Sequence, residues 1–380
     1  MNRVLFVATV VRKHINEFHV PYMKLFHDNK WIVDVVAKND FIPKDKICIP
    51  YADNFFEVEF DRKPWSIANI EAYRKLKKII EANKYDLVIC NTPVGGAISR
   101  LAGHGENCKI LYIAHGFHFF KGNSIIKNFV FRNIESWLAK YTDALVTINN
   151  EDYQAASKFT YNKNGKAFLI NGIGCDIDNI TSVSVDKAKK RDELSIDVNS
   201  FVVMTTAEMI PRKNYEVALK AFALANIRNS VYLVCGDGEL NKKLKGLAKY
   251  LGIEGQVKFL GYRNDIAELL AISDVFLFTS LQEGLGISII EAESAGVPVI
   301  TSNVRGSKDC VVNGKTGYTY NPRDINGFAE GLKKIHDMGE IKRGDMVAAA
   351  KEYAMQFDIS KSIKQMMQVY EYLGIHLNKE

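Results

Sequence analysis

The chain has 380 residues, of which 47% are apolar, 25% charged and 11% aromatic. At roughly 150 residues per domain that is material for two buried cores. The composition excludes a disordered polymer, a collagen-like or mucin-like repeat and a coiled coil. Six scattered cysteines (Cys48, Cys90, Cys108, Cys175, Cys235 and Cys310) form no CxxC pair and have no histidine at zinc-finger spacing, so reduced thiols in a cytoplasmic protein are expected. The net charge of +6 comes from 50 basic and 44 acidic residues; residues 1–180 hold 24 against 19, leaving 26 against 25 for the rest. That excess is too weak for a nucleic-acid groove, whereas a mildly basic N-terminal half suits anionic lipid headgroups.

In chain order, the apolar run 4–10 is followed by Arg12-Lys13-His14 with no small-residue cleavage site, and reads as a buried first strand instead of a signal peptide. No window of about 18 apolar residues occurs, so any membrane contact is expected to be peripheral. Further strands are expected at 32–37, 87–90, 110–114, 144–148 and 167–170. The rhythm restarts at 201–206, 231–235, 257–259, 275–279 and 297–301, with helical patterns at 215–225 and 240–250. Short apolar runs alternating with amphipathic stretches describe βαβ units and parallel sheets buried on both faces. The fold class is therefore α/β, with two doubly wound, Rossmann-like domains. The glycines of Asn171-Gly172-Ile173-Gly174 put the seam near residue 175, giving domains at 1–175 and 176–356. The segment 357–380 carries a terminal helix whose apolar residues (Ile363, Met366, Met367, Val369, Tyr370, Leu373) recur at helical spacing. Ligands of open α/β sheets sit beyond the carboxyl ends of the strands, so a central cleft faced by both domains is where the chemistry is expected.

The most informative stretch, Ser280-Leu281-Gln282-Glu283-Gly284-Leu285-Gly286-Ile287-Ser288-Ile289-Ile290-Glu291, follows a strand directly. Gly284 and Gly286 let the backbone turn tightly, and a helix starting near Ile287 directs free N–H groups at an anion. Two carboxylates flanking a phosphate cannot both address it; they make sense as hydrogen-bond acceptors for hydroxyls on either side, which is the layout of a sugar nucleotide. Solvated glutamates are the plainer alternative. Arg212-Lys213, after strand 201–206, place two cations at another strand end, suited to a diphosphate leaving group or to a solvated basic turn. Gly236-Asp237-Gly238 is a third strand-end glycine turn, unspecific by itself. His115-Gly116 ends strand 110–114 and delivers an imidazole to the expected cleft, and His14 and His19 after the first strand could line it too; a structural role is the plainer reading of a lone histidine, more so for His14 and His19 than for His115.

Together, Glu283-Gly-Leu-Gly-Ile-Ser-Ile-Ile-Glu291, Arg212-Lys213, Gly236-Asp237-Gly238 and Asn313-Gly314-Lys315-Thr316-Gly317-Tyr318 resemble the retaining glycosyltransferases of family 4, which have the GT-B fold. Ala114-His115-Gly116-Phe117-His118-Phe119, Glu151-Asp152-Tyr153 and Asn303-Val304-Arg305-Gly306 look more narrowly like members from bacterial exopolysaccharide and capsule clusters. The resemblance implies that Arg212 and Lys213 hold the nucleotide diphosphate, Glu291 the ribose hydroxyls and Glu283 the donor sugar. It implies backbone contacts from Gly284, Leu285, Gly286 and Ile287, with Gly236 and Gly238 also on the donor side. His115 would reach the anomeric centre, and His14 and His118 would lie on the acceptor side. The C-terminal domain would bind the donor, probed first as a UDP-hexose or UDP-N-acetylhexosamine. The N-terminal domain would bind an undecaprenyl-diphosphate-linked saccharide at the inner face of the plasma membrane, where aromatics among Lys121, Lys127 and Arg132 suit a surface-lying segment or, equally, a core.

No metal cofactor is implied: Asp176-Ile177-Asp178 spells the DxD of metal-dependent transferases but lies in the linker. Two departures stand out. Ala207-Glu208 replaces a frequent Gly-Arg, and Arg12-Lys13-His14 replaces the glycine pair usual after the first strand. A sugar-nucleotide epimerase of similar architecture and a non-catalytic nucleotide-binding scaffold are the competing readings.

Overall fold

The computed structural model describes residues 1–61, 63–162 and 164–378. Two compact units emerge, one of residues 1–174 together with the terminal segment from Ile359, the other Cys175–Asp358.

The first unit is built on seven strands: β1 (Arg3–Val10), β2 (Ile32–Lys38), β3 (Asn54–Glu57), β4 (Leu87–Asn91), β5 (Lys109–Ala114), β6 (Ala144–Thr147) and β7 (Lys166–Leu169). They pair in parallel in the order β3-β2-β1-β4-β5-β6-β7, with Val4 opposite both Val33 and Leu87. Helices cover both faces of the sheet, which is why Val4 to Ala8 of β1 are wholly buried and why the strands read as unbroken apolar runs. The terminal helix Ile359–Tyr372 belongs to this unit: Tyr370 meets the edge of Phe26 at 5.0 Å, and Gln365 accepts a hydrogen bond from the Asn171 amide. Gly174, at φ +96°, approaches Ile359 so closely that a Cβ would stand 2.7 Å from its Cα.

The second unit has six parallel strands: β8 (Phe201–Thr206), β9 (Ser230–Cys235), β10 (Val257–Gly261), β11 (Val275–Phe278), β12 (Val299–Ser302) and β13 (Gly317–Tyr320), ordered β10-β9-β8-β11-β12-β13. Strand β12 begins after Pro298, which contributes its carbonyl to Phe276 but has no N–H for a ladder. The expected strands are present, and the sheets add β3 and β13, both four-residue edge strands.

In each sheet the strand order reverses once, between β1 and β4 and between β8 and β11. At such a switch point the neighbouring loops diverge and leave room for side chains to converge. Among the described residues no helix is long and apolar enough to cross a membrane.

Candidate functional site

At the β8/β11 switch point, Pro211 opens a single helical turn, Pro211–Lys213, and Asn214 closes it in the left-handed conformation at φ +56°, which asparagine tolerates better than most residues. Asn214 then ties the two strand-end loops together: its Nδ2 donates to the Thr279 carbonyl at 2.9 Å, and its own carbonyl accepts from Thr279 Oγ1 at 3.0 Å. The Leu281 amide donates to the Arg212 carbonyl. This lacing brings Arg212 and Lys213 onto Glu283, seventy residues away. Arg212 Nη1 lies 3.0 Å from one Glu283 oxygen and Lys213 Nζ 2.7 Å from the other, which also accepts from Ser280 Oγ at 2.5 Å. Glu283 is only 7% exposed; the Arg212 side chain is 42% exposed. Burial lowers the affinity of Lys213 for its proton despite the facing carboxylate.

The two cations expected on the diphosphate and the carboxylate expected on the sugar therefore form one cluster, with an excess of one positive charge. Arg305 Nε donates to the Glu283 carbonyl, and Gly306, at φ +78°, passes so near that a Cβ would meet the Gly284 oxygen at 2.7 Å. The bracing role of Arg305 is carried by a contact between distant loops that spacing does not encode.

Gly286 caps the helix Ile287–Ser294, accepting from the Ile289 and Ile290 amides, while the Ile287 amide turns back to the Leu285 carbonyl. Glu291 lies in the second turn, half-buried, and burial raises its carboxyl to about 7. Two residues on, Glu293 has no exposure at all, and burial raises it to about 9. The Gly236 amide donates to the Gly261 carbonyl and that of Gly238 to Asp237 Oδ1. A Cβ at Gly236 would stand 2.0 Å from the Ala207 oxygen. These glycines are thus required by the close approach of the neighbouring loop, and both their N–H groups are engaged within the unit. Asp176 caps the short helix Ile177–Thr181 by accepting from the Asn179 amide, a structural use of the linker DxD.

In the first unit, a turn of π-helix (Val11–Ile15) follows β1 where a glycine pair was missed; such turns recur at functional sites. It brings His14 to His115 at the end of β5, ring centroids 4.6 Å apart, with His19 beside both. Asn91, ending β4, donates through Nδ2 to the Val7 carbonyl and meets His115 Nε2 with Oδ1 at 3.2 Å. That polarity assigns the His115 proton to Nε2 and its lone pair to Nδ1. Burial, then the neighbouring imidazole, depresses the proton affinity of His14, His19 and His115. All three are neutral at pH 7.

His118 does not join this group. It is exposed, lies edge-on to Phe131 at 5.2 Å, and lines an apolar cavity of about 200 Å³ with Pro64, Val94, Ile98, Phe131 and Ile134. The cavity borders the helix Ile125–Ala139, held from beneath by the buried pair Arg100–Glu135 at 2.9 Å. The aromatic segment divides accordingly: Phe117 and Phe119 are core, while Ile125, Ile126, Phe129 and Trp137 stand 47–87% exposed.

Two family models cover most of the chain: glycosyl transferases group 1 matches residues 186–353 and glycosyl transferase 4-like matches 3–149. The sequence is 33% identical over 376 residues to EpsD of Bacillus subtilis (strain 168), a protein assigned as a glycosyltransferase, covering 97% of this chain and 96% of that one. It is 30% identical over 290 residues, 74% of each chain, to an Escherichia coli UDP-Gal:alpha-D-GlcNAc-diphosphoundecaprenol alpha-1,3-galactosyltransferase. Among solved structures, Anabaena HepE in complex with UDP and glucose superposes with a TM-score of 0.78 at 21% identity, over 98% of this chain and all of that one.

Proposed function

Because the chain belongs to the group 1, family 4 retaining glycosyltransferases of GT-B fold, we propose that it moves a hexose or N-acetylhexosamine from a UDP-linked donor to an undecaprenyl-diphosphate-linked saccharide in exopolysaccharide or capsule synthesis. The observation that carries this reading is the Arg212-Lys213-Glu283 cluster at the β8/β11 switch point. The departing diphosphate takes over the cations, whose preorganised charge lowers the barrier most where negative charge develops. Glu283, released from them, accepts hydroxyls of the donor sugar. Glu291 takes the ribose, and the Gly284–Ile287 backbone, with Gly236 and Gly238, completes the donor site in the second unit. His115 serves the anomeric centre, and His14 and His118 the acceptor. Retention follows from the donor's own phosphate oxygen assisting the incoming hydroxyl, with no metal in the step.

The E. coli relative's diphosphoundecaprenol acceptor supports the lipid-linked assignment, and so does the apolar face of Ile125–Ala139, where Lys127 and Arg132 flank exposed Ile126 and Phe129. We place the enzyme at the cytoplasmic face of the plasma membrane, held peripherally. The test is incubation with UDP-sugars and a synthetic undecaprenyl-diphosphate saccharide, with the product analysed by mass and anomeric NMR. An α-linked product one sugar longer supports the reading; conversion of the UDP-sugar without acceptor would identify an epimerase instead.

A further inference from the structure

The imidazoles of His14, His19 and His115 converge so that one ring nitrogen from each lies within 4.8 Å of the others. His19 is wholly buried, and neither of its nitrogens has a hydrogen-bond partner among the described residues; the same holds for His14 Nε2. A buried polar group without a partner is costly, and three such atoms on two adjacent rings need an account that packing does not provide, since a phenyl ring would fill the same space without the penalty. His115 supplies a second, independent sign. Its Nε2–H is held by the Asn91 carbonyl oxygen at 3.2 Å, leaving the lone pair on Nδ1. Ligating histidines commonly have their second ring N–H engaged by an oxygen acceptor in this way.

We propose that His14, His19 and His115 bind a borderline transition-metal cation of the Zn2+ class, with a fourth position open to water. Three imidazoles without a carboxylate favour zinc over magnesium or calcium, which take oxygen ligands. Zn–N bonds of about 2.0–2.1 Å place ligating nitrogens roughly 3.4 Å apart, so nitrogens that lie within 4.8 Å of one another must close by at most about 1.4 Å on binding. One consequence rests on the function proposed above: a metal-bound His115 is withdrawn from the donor sugar, making zinc a reversible inhibitor of transfer.

The test uses the full chain stripped of metal, titrated with Zn2+ against a chromogenic chelator and separately with Co2+ by visible absorption. One tightly held equivalent and a tetrahedral cobalt band are expected. His14→Ala and His19→Ala should each weaken zinc binding at least tenfold, whereas His336→Ala, at an exposed surface pair with Asp337, should leave it unchanged. His19 is buried, so Asn91→Ala gives a second variant that keeps all three ligands and should still lose about tenfold, as loss of such a supporting contact typically does. Unchanged affinity in a folded His14→Ala protein, or a cobalt spectrum of the hydrated ion alone, overturns the proposal. Thermal stabilisation by UDP is read in parallel. Loss of zinc with UDP binding retained defeats the metal site only, and zinc retained without UDP binding defeats only the donor reading.

Discussion

Lys213 Nζ and Glu283 Oε1 lie 2.7 Å apart, a charge pair formed across seventy residues by two loops at one switch point. On the function proposed above, the carboxylate holds the two cations that a diphosphate would claim. Arg212→Ala or Lys213→Ala should lower turnover by roughly a hundredfold, the usual effect of losing one preorganised donor to a developing anion. Glu283→Gln should divide the two functions: UDP binds more tightly, by calorimetry, because the cations are no longer countered, while transfer falls. Weaker UDP binding in that variant would mean the carboxylate only holds the loops in place.

His115 is neutral because burial and the adjacent His14 ring disfavour its charged form. Its folded affinity for protons is lowered, so the rate should show no imidazole titration between pH 6 and 8, in contrast to a free imidazole near 6.5. Asn91→Ala, which releases the Nε2–H, should lower kcat about tenfold by freeing the tautomer and leave UDP affinity as it was. A fall in rate with a midpoint near 6.5 would contradict the assignment.

The alternation of apolar runs and amphipathic stretches was enough to locate eleven of the strands, since a parallel strand buried on both faces must be apolar throughout. The edge strands β3 and β13 escaped because Asn54–Glu57 and Gly317–Tyr320 are short and partly exposed, and pairing on one side imposes little on composition. Arg212, Lys213 and Glu283 were legible as strand-end chemistry; their mutual pairing was not, because it depends on which strands are neighbours. His14, His19 and His115 were each legible as lining the expected cleft, but their convergence was not, for the same reason. His14, in the turn after β1, and His115, just past β5, are one strand removed from each other across β4, and each looks unremarkable alone. Glu293 left only a faint trace, a carboxylate two residues beyond Glu291 on a helix otherwise facing a core.

Glu293 lends itself to a stability measurement. Its carboxyl is raised from the ordinary value near 4.5 to about 9 by burial, so the folded state keeps a proton that the unfolded chain sheds. Its contribution to stability is fully present below pH 4.5 and is lost as pH rises toward 9, at about 1.4 kcal/mol per unit while only the unfolded state is ionised. Glu293→Gln, which mimics the protonated acid, should match the wild type near pH 5 and exceed it by a few kcal/mol at pH 8. Urea unfolding at those two pH values, followed by tryptophan-independent far-UV dichroism, reads the difference. Equal gains at both would show that the residue is ionised in the fold.

The exposed face of Ile125–Ala139 makes the membrane assignment measurable apart from catalysis. Ile125, Ile126 and Phe129 are 87%, 76% and 70% exposed, while the opposite face of the helix is anchored by Glu135 on Arg100 and by buried Leu138. Charges placed on the outer face therefore leave the anchoring contacts intact. Burying one such side chain in lipid contributes about 1.5–3 kcal/mol at most, equivalent to a tenfold or greater change in partitioning. Ile126→Glu with Phe129→Glu should abolish flotation with vesicles containing anionic lipid, leave the melting temperature within about 2 °C, as surface changes of under half a kcal/mol do, and preserve transfer to a short, water-soluble acceptor. Loss of transfer to the soluble acceptor would instead make this face part of the acceptor site, and undiminished flotation would move the membrane contact elsewhere on the molecule.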